Sequence, residues 1–277
     1  MNGPGETLSF GSLWYVMALQ RAGVPTSLFE AGGYPRHRVC GEFLSGLAGA
    51  TIERLGLRQI LADAHLHRTA HYHIGGRRLP PLALPQPTLG ISRYALDRRL
   101  ADAFVAAGGA LHANTRAPEE PKPGRIMAVG KIRHGPFWVG LKVHVRKLEI
   151  AEDFEIHLGR RAYLGLSKVE DGAINLCGIF ARRRLAARGE ELIPAYLEAA
   201  GLGSLAARLR AAETDPSSFC TTAASLGDRA VPRSAEVRIT ARSISSSTAS
   251  RLGSAGTPST CERAGFTGMT WPLKPYR

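Results

Sequence analysis

Apolar positions at Leu13, Val16, Met17 and Leu19 recur at helical spacing, which predicts a helix over residues 13–22 closed by Gly23. Val24 to Glu30 is an apolar run ending on a carboxylate and reads as a strand. A second helix is expected from Ile52 to Ala64, with Leu55, Leu57, Ile60 and Leu61 inside. His71-Tyr72-His73-Ile74 alternates as a half-exposed strand does, and Gly75-Gly76 turns the chain into Arg77-Arg78. Ser92 is placed to cap a helix running to Ala107, with Leu96, Leu100, Ala103 and Phe104 on its apolar face. Gly108-Gly109-Ala110 ends that helix ahead of a short strand from Leu111 to Thr115.

The period then changes to two. Phe137 to Val145 alternates as a long antiparallel strand, and Phe154 to Leu158, Ala162 to Leu166 and Ala173 to Phe180 continue the pattern. Gly159-Arg160-Arg161 and Glu170-Asp171-Gly172 supply the turns. Lys142 and His144 stand two apart on one face, either flanking a ligand or on an exposed sheet surface. Helices are expected at Ala186 to Ala200 and Leu205 to Ala212, and strands at Ile126 to Lys131 and Ala235 to Ile239. From about Thr240 the chain turns rich in Ser, Thr and Arg with almost no apolar period, which reads as loop or disorder.

Helix, glycine turn, strand and acidic end are the middle of a dinucleotide-binding βαβ unit, where the carboxylate accepts hydrogen bonds from a ribose. The loop Pro35-Arg36-His37-Arg38-Val39-Cys40-Gly41-Glu42 follows at once. Together with Arg93-Tyr94-Ala95-Leu96-Asp97 opening the capped helix and the Gly-Ala turn after it, these stretches resemble the geranylgeranyl reductase-like flavoproteins, which share the p-hydroxybenzoate hydroxylase-type fold. The resemblance extends over roughly residues 13–240. It implies an α/β (α+β) fold: a Rossmann-like FAD-binding layer with an antiparallel substrate-domain sheet. The FAD-binding domain is expected to be discontinuous, residues 1–64 and 92–133. The substrate domain takes 65–91 and 134–212, and 213–277 holds a remnant of the FAD-binding domain and the disordered tail.

By position in the family's motifs, Glu30, Cys40, Gly41 and Arg93 are implied to touch FAD, with Arg36 and Arg38 as phosphate or flavin neighbours and Ala117 near the adenine. Cys40 also reads as a small buried apolar residue, and Asp97 as a helix-surface partner of Arg93 or Arg98. Two family features do not match. The G-x-G-x-x-G turn should fall near Thr7 to Ser12, where Gly11 is the only glycine, and the Gly-Asp pair that should follow Thr240 is missing. No residue is identified as a catalytic acid or base.

Composition narrows the alternatives. Apolar residues make up 44% of the 277, enough for a sizeable core. No apolar run is long enough to span a bilayer and no signal peptide is visible; peripheral contact with an anionic membrane stays open. Cys40, Cys177, Cys220 and Cys261 show neither metal nor disulfide spacing, consistent with a cytoplasmic protein. The H-x-H pairs at 65–67 and 71–73 read as strand alternation, so no metal is assigned. A net charge of +13 fits an arginine-rich solvated surface; nucleic acid is not expected, because the basic residues are scattered and aromatics are only 7%.

The leading expectation is an FAD-dependent oxidoreductase that reduces double bonds in an isoprenoid-like or other apolar small molecule, with NAD(P)H as an electron donor the family allows. An FAD-dependent monooxygenase or halogenase is the alternative reaction. A truncated or frameshifted non-catalytic relic is a second alternative, and a basic nucleic-acid-binding protein is a remote one.

Overall fold

The computed structural model describes residues 7–47, 49–117, 124–126 and 137–224. The strand expected at 126–131, apart from Ile126, the strand expected at 235–239 and the tail after 240 lie outside the described residues.

Helix α1 (Thr7–Arg21) begins earlier than its apolar period. It ends where Gly23 adopts a left-handed φ of 78°. Strand β1 (Ser27–Glu30) pairs in parallel with β6 (Ala110–Ala113), Glu30 opposite Ala113, in a two-stranded sheet. Between them, α3 (Arg93–Ala106) is capped as expected, the Ser92 hydroxyl accepting from the Ala95 amide. The helix expected over 52–64 is shorter. Helix α2 spans Gly49–Arg54, and Gly56 breaks it with a φ of 63°. Leu57, Ile60 and Leu61 are still buried, in irregular turns against Leu13, Met17, Leu96, Leu100 and Phe104. Their spacing reported burial correctly but not helix.

A nine-stranded sheet forms the rest. Its order is β11 (Glu213–Ala224), β7 (Trp138–Arg146), β10 (Ile174–Ala181), β9 (Ala162–Lys168), β8 (Phe154–Gly159), β3 (His65–Ile74), β5 (Leu82–Gly90) and β2 (Phe43–Leu44), with β4 (Arg77–Arg78) paired to β3. All pairings are antiparallel except β3 with β8. Residues 213–224, expected with the FAD-binding remnant, therefore add an edge strand here. Helices α4 (Leu192–Ala199) and α5 (Gly203–Arg210) cover one face. Helix α4 starts six residues later than expected, because Gly189 takes a left-handed φ of 58° and a single tight turn precedes Leu192.

Alternation assigns the two faces. Leu141, Val143 and Val145 of β7 pack with Leu164, Leu166, Ile193, Leu197 and Leu205 in the core under α4 and α5. Lys142 and His144 point the opposite way, and so do Asn175, Ser167 and Phe154 in register on β10, β9 and β8. This second face receives the loop that follows β1.

Candidate flavin and substrate site

The loop from Ala31 to Glu42 leaves the C-terminal end of β1 and is pinned to the sheet by its own backbone. The Asn175 side-chain amide donates to the Cys40 carbonyl (2.9 Å), and the Ser167 hydroxyl donates to the Gly41 carbonyl (2.9 Å). Cys40 is buried, and its Sγ accepts from the Glu42 amide at 3.4 Å.

Glu30 ends β1 as the βαβ pattern requires. Its Oε1 accepts from the Gly32 amide (3.0 Å) and from Arg36 Nη2 (2.7 Å). Its Oε2 is held more loosely, by the Tyr34 hydroxyl at 3.3 Å and Arg38 Nη2 at 3.4 Å. Burial and the Glu30 carboxylate push the Tyr34 phenol well above its ordinary pKa. Arg38 then reaches from Glu30 to Asp97, its Nε 3.3 Å from Oδ2. Asp97 in turn grips Arg93 through Nε (2.9 Å) and Nη2 (2.8 Å). Five alternating charges thus run from Arg36 at the half-exposed rim to Arg93 in the interior. Burial works against the Arg93 charge, but the bonds to Asp97 outweigh it and raise its pKa, with Cys40 contributing.

The expectation for Asp97 is corrected in one respect. It pairs with Arg93 as foreseen, but both side chains are buried, so the pair is an interior ion pair and not a surface one. Arg98 pairs instead with Asp102 on the exposed side of α3. Glu30, Arg36, Arg38, Cys40, Gly41 and Arg93 are brought into one region. Ala117 is half-buried beyond β6, two residues past Thr115, whose amide donates to the Glu30 carbonyl (3.0 Å), and is not part of the ion-pair chain.

A second cluster adjoins the first. Glu42 is a buried carboxylate on a backbone with φ of 52°, a left-handed conformation costing a non-glycine residue about 1–2 kcal/mol. Its Oε2 lies 2.6 Å from His144 Nε2, and its Oε1 lies 3.4 Å from Lys142 Nζ and accepts from the Arg93 amide at 3.0 Å. Burial pushes its pKa up, but the His144 hydrogen bond and the Lys142 charge win and the net shift is downward. Lys142 Nζ donates to His37 Nδ1 (3.0 Å). Burial, Lys142 and His144 lower His37 to a pKa of about 4, so it accepts as a neutral ring. His37 stacks on Tyr94 near the surface. The Ser218 hydroxyl of β11 accepts from the His144 amide (2.7 Å).

Lys142 and His144 therefore do not lie on an exposed sheet face; Lys142 is fully buried and His144 nearly so. Sequence reasoning had noted this pair but missed Glu42, His37 and Asn175. The available signal was an acid and a histidine flanking Cys40-Gly41 opposite two polar residues on an otherwise apolar strand.

The residues present fit part of an FAD. The Nε of Arg36 is buried with no hydrogen-bond partner among the described residues, an orphan donor on the side chain whose Nη2 bonds Glu30 Oε1, while Oε2 of Glu30 is loosely held. A ribose diol offers an acceptor for the one and donors for the other. Helix α1 begins within the stretch that lacks the glycine fingerprint, and the residues before Thr7 lie outside the described structure.

No family model matches the sequence, and no curated protein matches it. Solved structures do. A flavoprotein/dehydrogenase from Cytophaga hutchinsonii superposes with a TM-score of 0.60 at 13% identity, over 79% of this chain and 64% of its own. PqsL from Pseudomonas aeruginosa, solved with 2-aminobenzoylacetate, gives 0.57 at 12% identity over 79% and 71%. The flavin-dependent brominase Bmp2 gives 0.57 at 14% over 79% and 65%. The chain thus spans just under two thirds of the first of these structures. Its mixed α/β architecture with an antiparallel-rich sheet has the fold of the p-hydroxybenzoate hydroxylase-type flavoproteins, as found in FAD-dependent monooxygenases and halogenases.

Proposed function

We propose that this chain is the FAD- and substrate-binding part of an FAD-dependent oxidoreductase acting on a small molecule. Oxygen-activating chemistry, monooxygenation or halogenation, is the reading preferred over double-bond reduction, because the neighbours in fold are named for those reactions. The observation that carries the proposal is the chain of charges from Arg36 through Glu30 to Arg93, ending beside a buried Glu42-His144-Lys142 cluster. Arg36 and Arg38 converge on Glu30 at the end of a parallel strand, and Arg38 and Arg93 on Asp97 of α3.

Glu30 and Arg36 would hold the adenosine ribose, with Arg38 beside the pyrophosphate and Ala117 near the adenine. The Cys40-Gly41 loop would face the flavin ring, with Arg93 behind it. Bound FAD would supply hydride acceptance and activation of dioxygen. Glu42 fixes the orientation of the His144 ring. Lys142 and His37 offer a route for a proton between that ring's surroundings and the surface near Tyr94. The phenol of Tyr34 stays protonated and donates to Glu30. The positive field suits an apolar substrate bearing an anionic group. Work in the cytoplasm, with NAD(P)H as the donor, is part of the same proposal.

The test begins with the visible spectrum of purified protein after incubation with FAD and desalting. Retained bands near about 370 and 450 nm are expected, with oxygen uptake on addition of NAD(P)H. Retained flavin that is reduced without oxygen uptake, and that hydrogenates an isoprenoid double bond anaerobically, would move the assignment to the reductases. A colourless protein that cannot be reconstituted would refute the proposal.

A further inference from the structure

The opposite face of the large sheet carries a separate cluster that the flavin site does not use. His73 on β3 and His157 on β8 are direct partners across the parallel pairing, and Glu155 lies two residues before His157 on the same face. The two imidazoles stack at 4.2 Å. Both Nε2 atoms converge on one carboxylate oxygen, Glu155 Oε2, that of His157 at 2.9 Å and that of His73 at 3.9 Å. Glu155 is buried. The Nε2 of His73 is also buried, and it has no hydrogen-bond partner among the described residues. A cavity of about 500 Å³ opens beside His73 and Glu155, lined also by Leu148, Ala151, Glu149 and the cationic side chains Arg78, Lys147 and Arg208.

We infer that His73, Glu155 and His157 form a binding site for a zinc-class divalent cation, with the cavity supplying a fourth, open position. Tetrahedral zinc with ligands at about 2.0–2.1 Å requires donor atoms separated by about 3.3–3.4 Å. The present 2.9 and 3.9 Å lie on either side of that value, and the two rings, now stacked nearly parallel at 13°, must turn out of the stack so that both Nε2 lone pairs meet at one ion. Two imidazoles and one carboxylate are a donor set suited to zinc and poorly suited to calcium or magnesium. The ligands stand on paired strands, which hold them more precisely than a loop would. The second oxygen, Oε1, accepts from the Ala151 amide (2.7 Å) and so fixes the carboxylate from outside the site. Arg208 Nη1, 3.3 Å from Oε2, is the competitor, because a bound cation has to share that oxygen with it or displace it.

The experiment is calorimetric titration of chelator-treated full-length protein with zinc chloride, followed by X-ray absorption at the zinc edge. One equivalent bound through nitrogen and oxygen ligands at about 2.0–2.2 Å is expected. His73→Gln and Glu155→Gln should each weaken binding at least about tenfold in proteins whose far-ultraviolet circular dichroism is unchanged. Arg208→Gln should strengthen it roughly fivefold, a direction that misfolding cannot imitate. Failure to bind zinc in the parent protein, binding unaffected by Glu155→Gln, or binding lost only with His144→Gln would each overturn the assignment. The outcome is independent of whether FAD binds.

Discussion

Replacing Glu42 by Gln is the most informative perturbation of the candidate site. The amide keeps the shape and can still bond His144 and the Arg93 amide, but Lys142, with no exposed side-chain surface, loses its counter-charge. Breaking a buried ion pair from one side costs about 3–5 kcal/mol, because the remaining charge is desolvated and unpaired. For a folded unit of this size that lowers Tm by roughly 6–20 °C. The double variant Glu42→Gln with Lys142→Met removes both charges and should recover at least half the loss. The pH dependence has a fixed sign. The Glu42 pKa is depressed in the folded state, so its stabilisation is fully present above the unfolded value of about 4.3 and is lost as pH falls below it. The gap between parent and variant should therefore narrow in acid. Thermal unfolding by circular dichroism at pH 7 and pH 3.5 measures both effects. A single variant within about 2 °C of the parent at pH 7, or a double variant no more stable than the single, would refute the ion-pair reasoning.

Other expectations follow from separate parts of the molecule. A Cβ added at Gly90 would lie 2.0 Å from the Lys168 carbonyl oxygen and 2.3 Å from His67 Nε2, so Gly90→Ala should cost at least the ~1–3 kcal/mol of overpacking. Parent-like urea unfolding would disprove the close approach. His67 is fully buried, and burial, aided by neighbouring His65, lowers its pKa to about 4. Between pH about 6.5 and 4 the unfolded chain takes up a proton that the native chain refuses, so stability falls by up to about 3 kcal/mol over that window. His67→Gln should flatten the slope of urea midpoint against pH, and an unchanged slope would contradict the assignment. If Arg36 contacts FAD, Arg36→Met should weaken FAD binding roughly ten- to a hundredfold by flavin fluorescence titration; equal affinity would remove Arg36 from the site.

The period-two stretches were the most legible part of the sequence. β7, β8, β9 and β10 fall within one or two residues of their expected limits, because each alternates against an apolar core. The Ser92 cap was equally readable, since its chemistry is local. What failed depended on long-range context. Residues 57–61 have helical spacing but are buried as turns, with the left-handed Gly56 deciding the outcome. In the site, the Glu30 loop and Arg93, singled out by motif position, are linked by ion pairs through Arg38 and Asp97. Glu42 was not singled out, because its partners Lys142 and His144 lie about a hundred residues away, on a strand whose polar positions also suit an exposed face. The first part of the chain named a cofactor. The cluster of Glu42, His144 and Lys142 emerged only when the sheet was assembled.

The parallel join between β3 and β8 also bears on how the molecule reaches its native state. β8, β9 and β10 are successive antiparallel neighbours joined by tight turns and can zip locally. β3 arrives from far upstream, with His67 bonded to Asp153 across 86 positions. Closing so long a loop precedes any reward from its contacts, which makes this step slow. On a ribosome, β3 is synthesised well before its partner and waits with one edge uncovered. The His67-Asp153 bond would then mark a late event in folding, and the interval before it is when the chain is most exposed to intermolecular pairing.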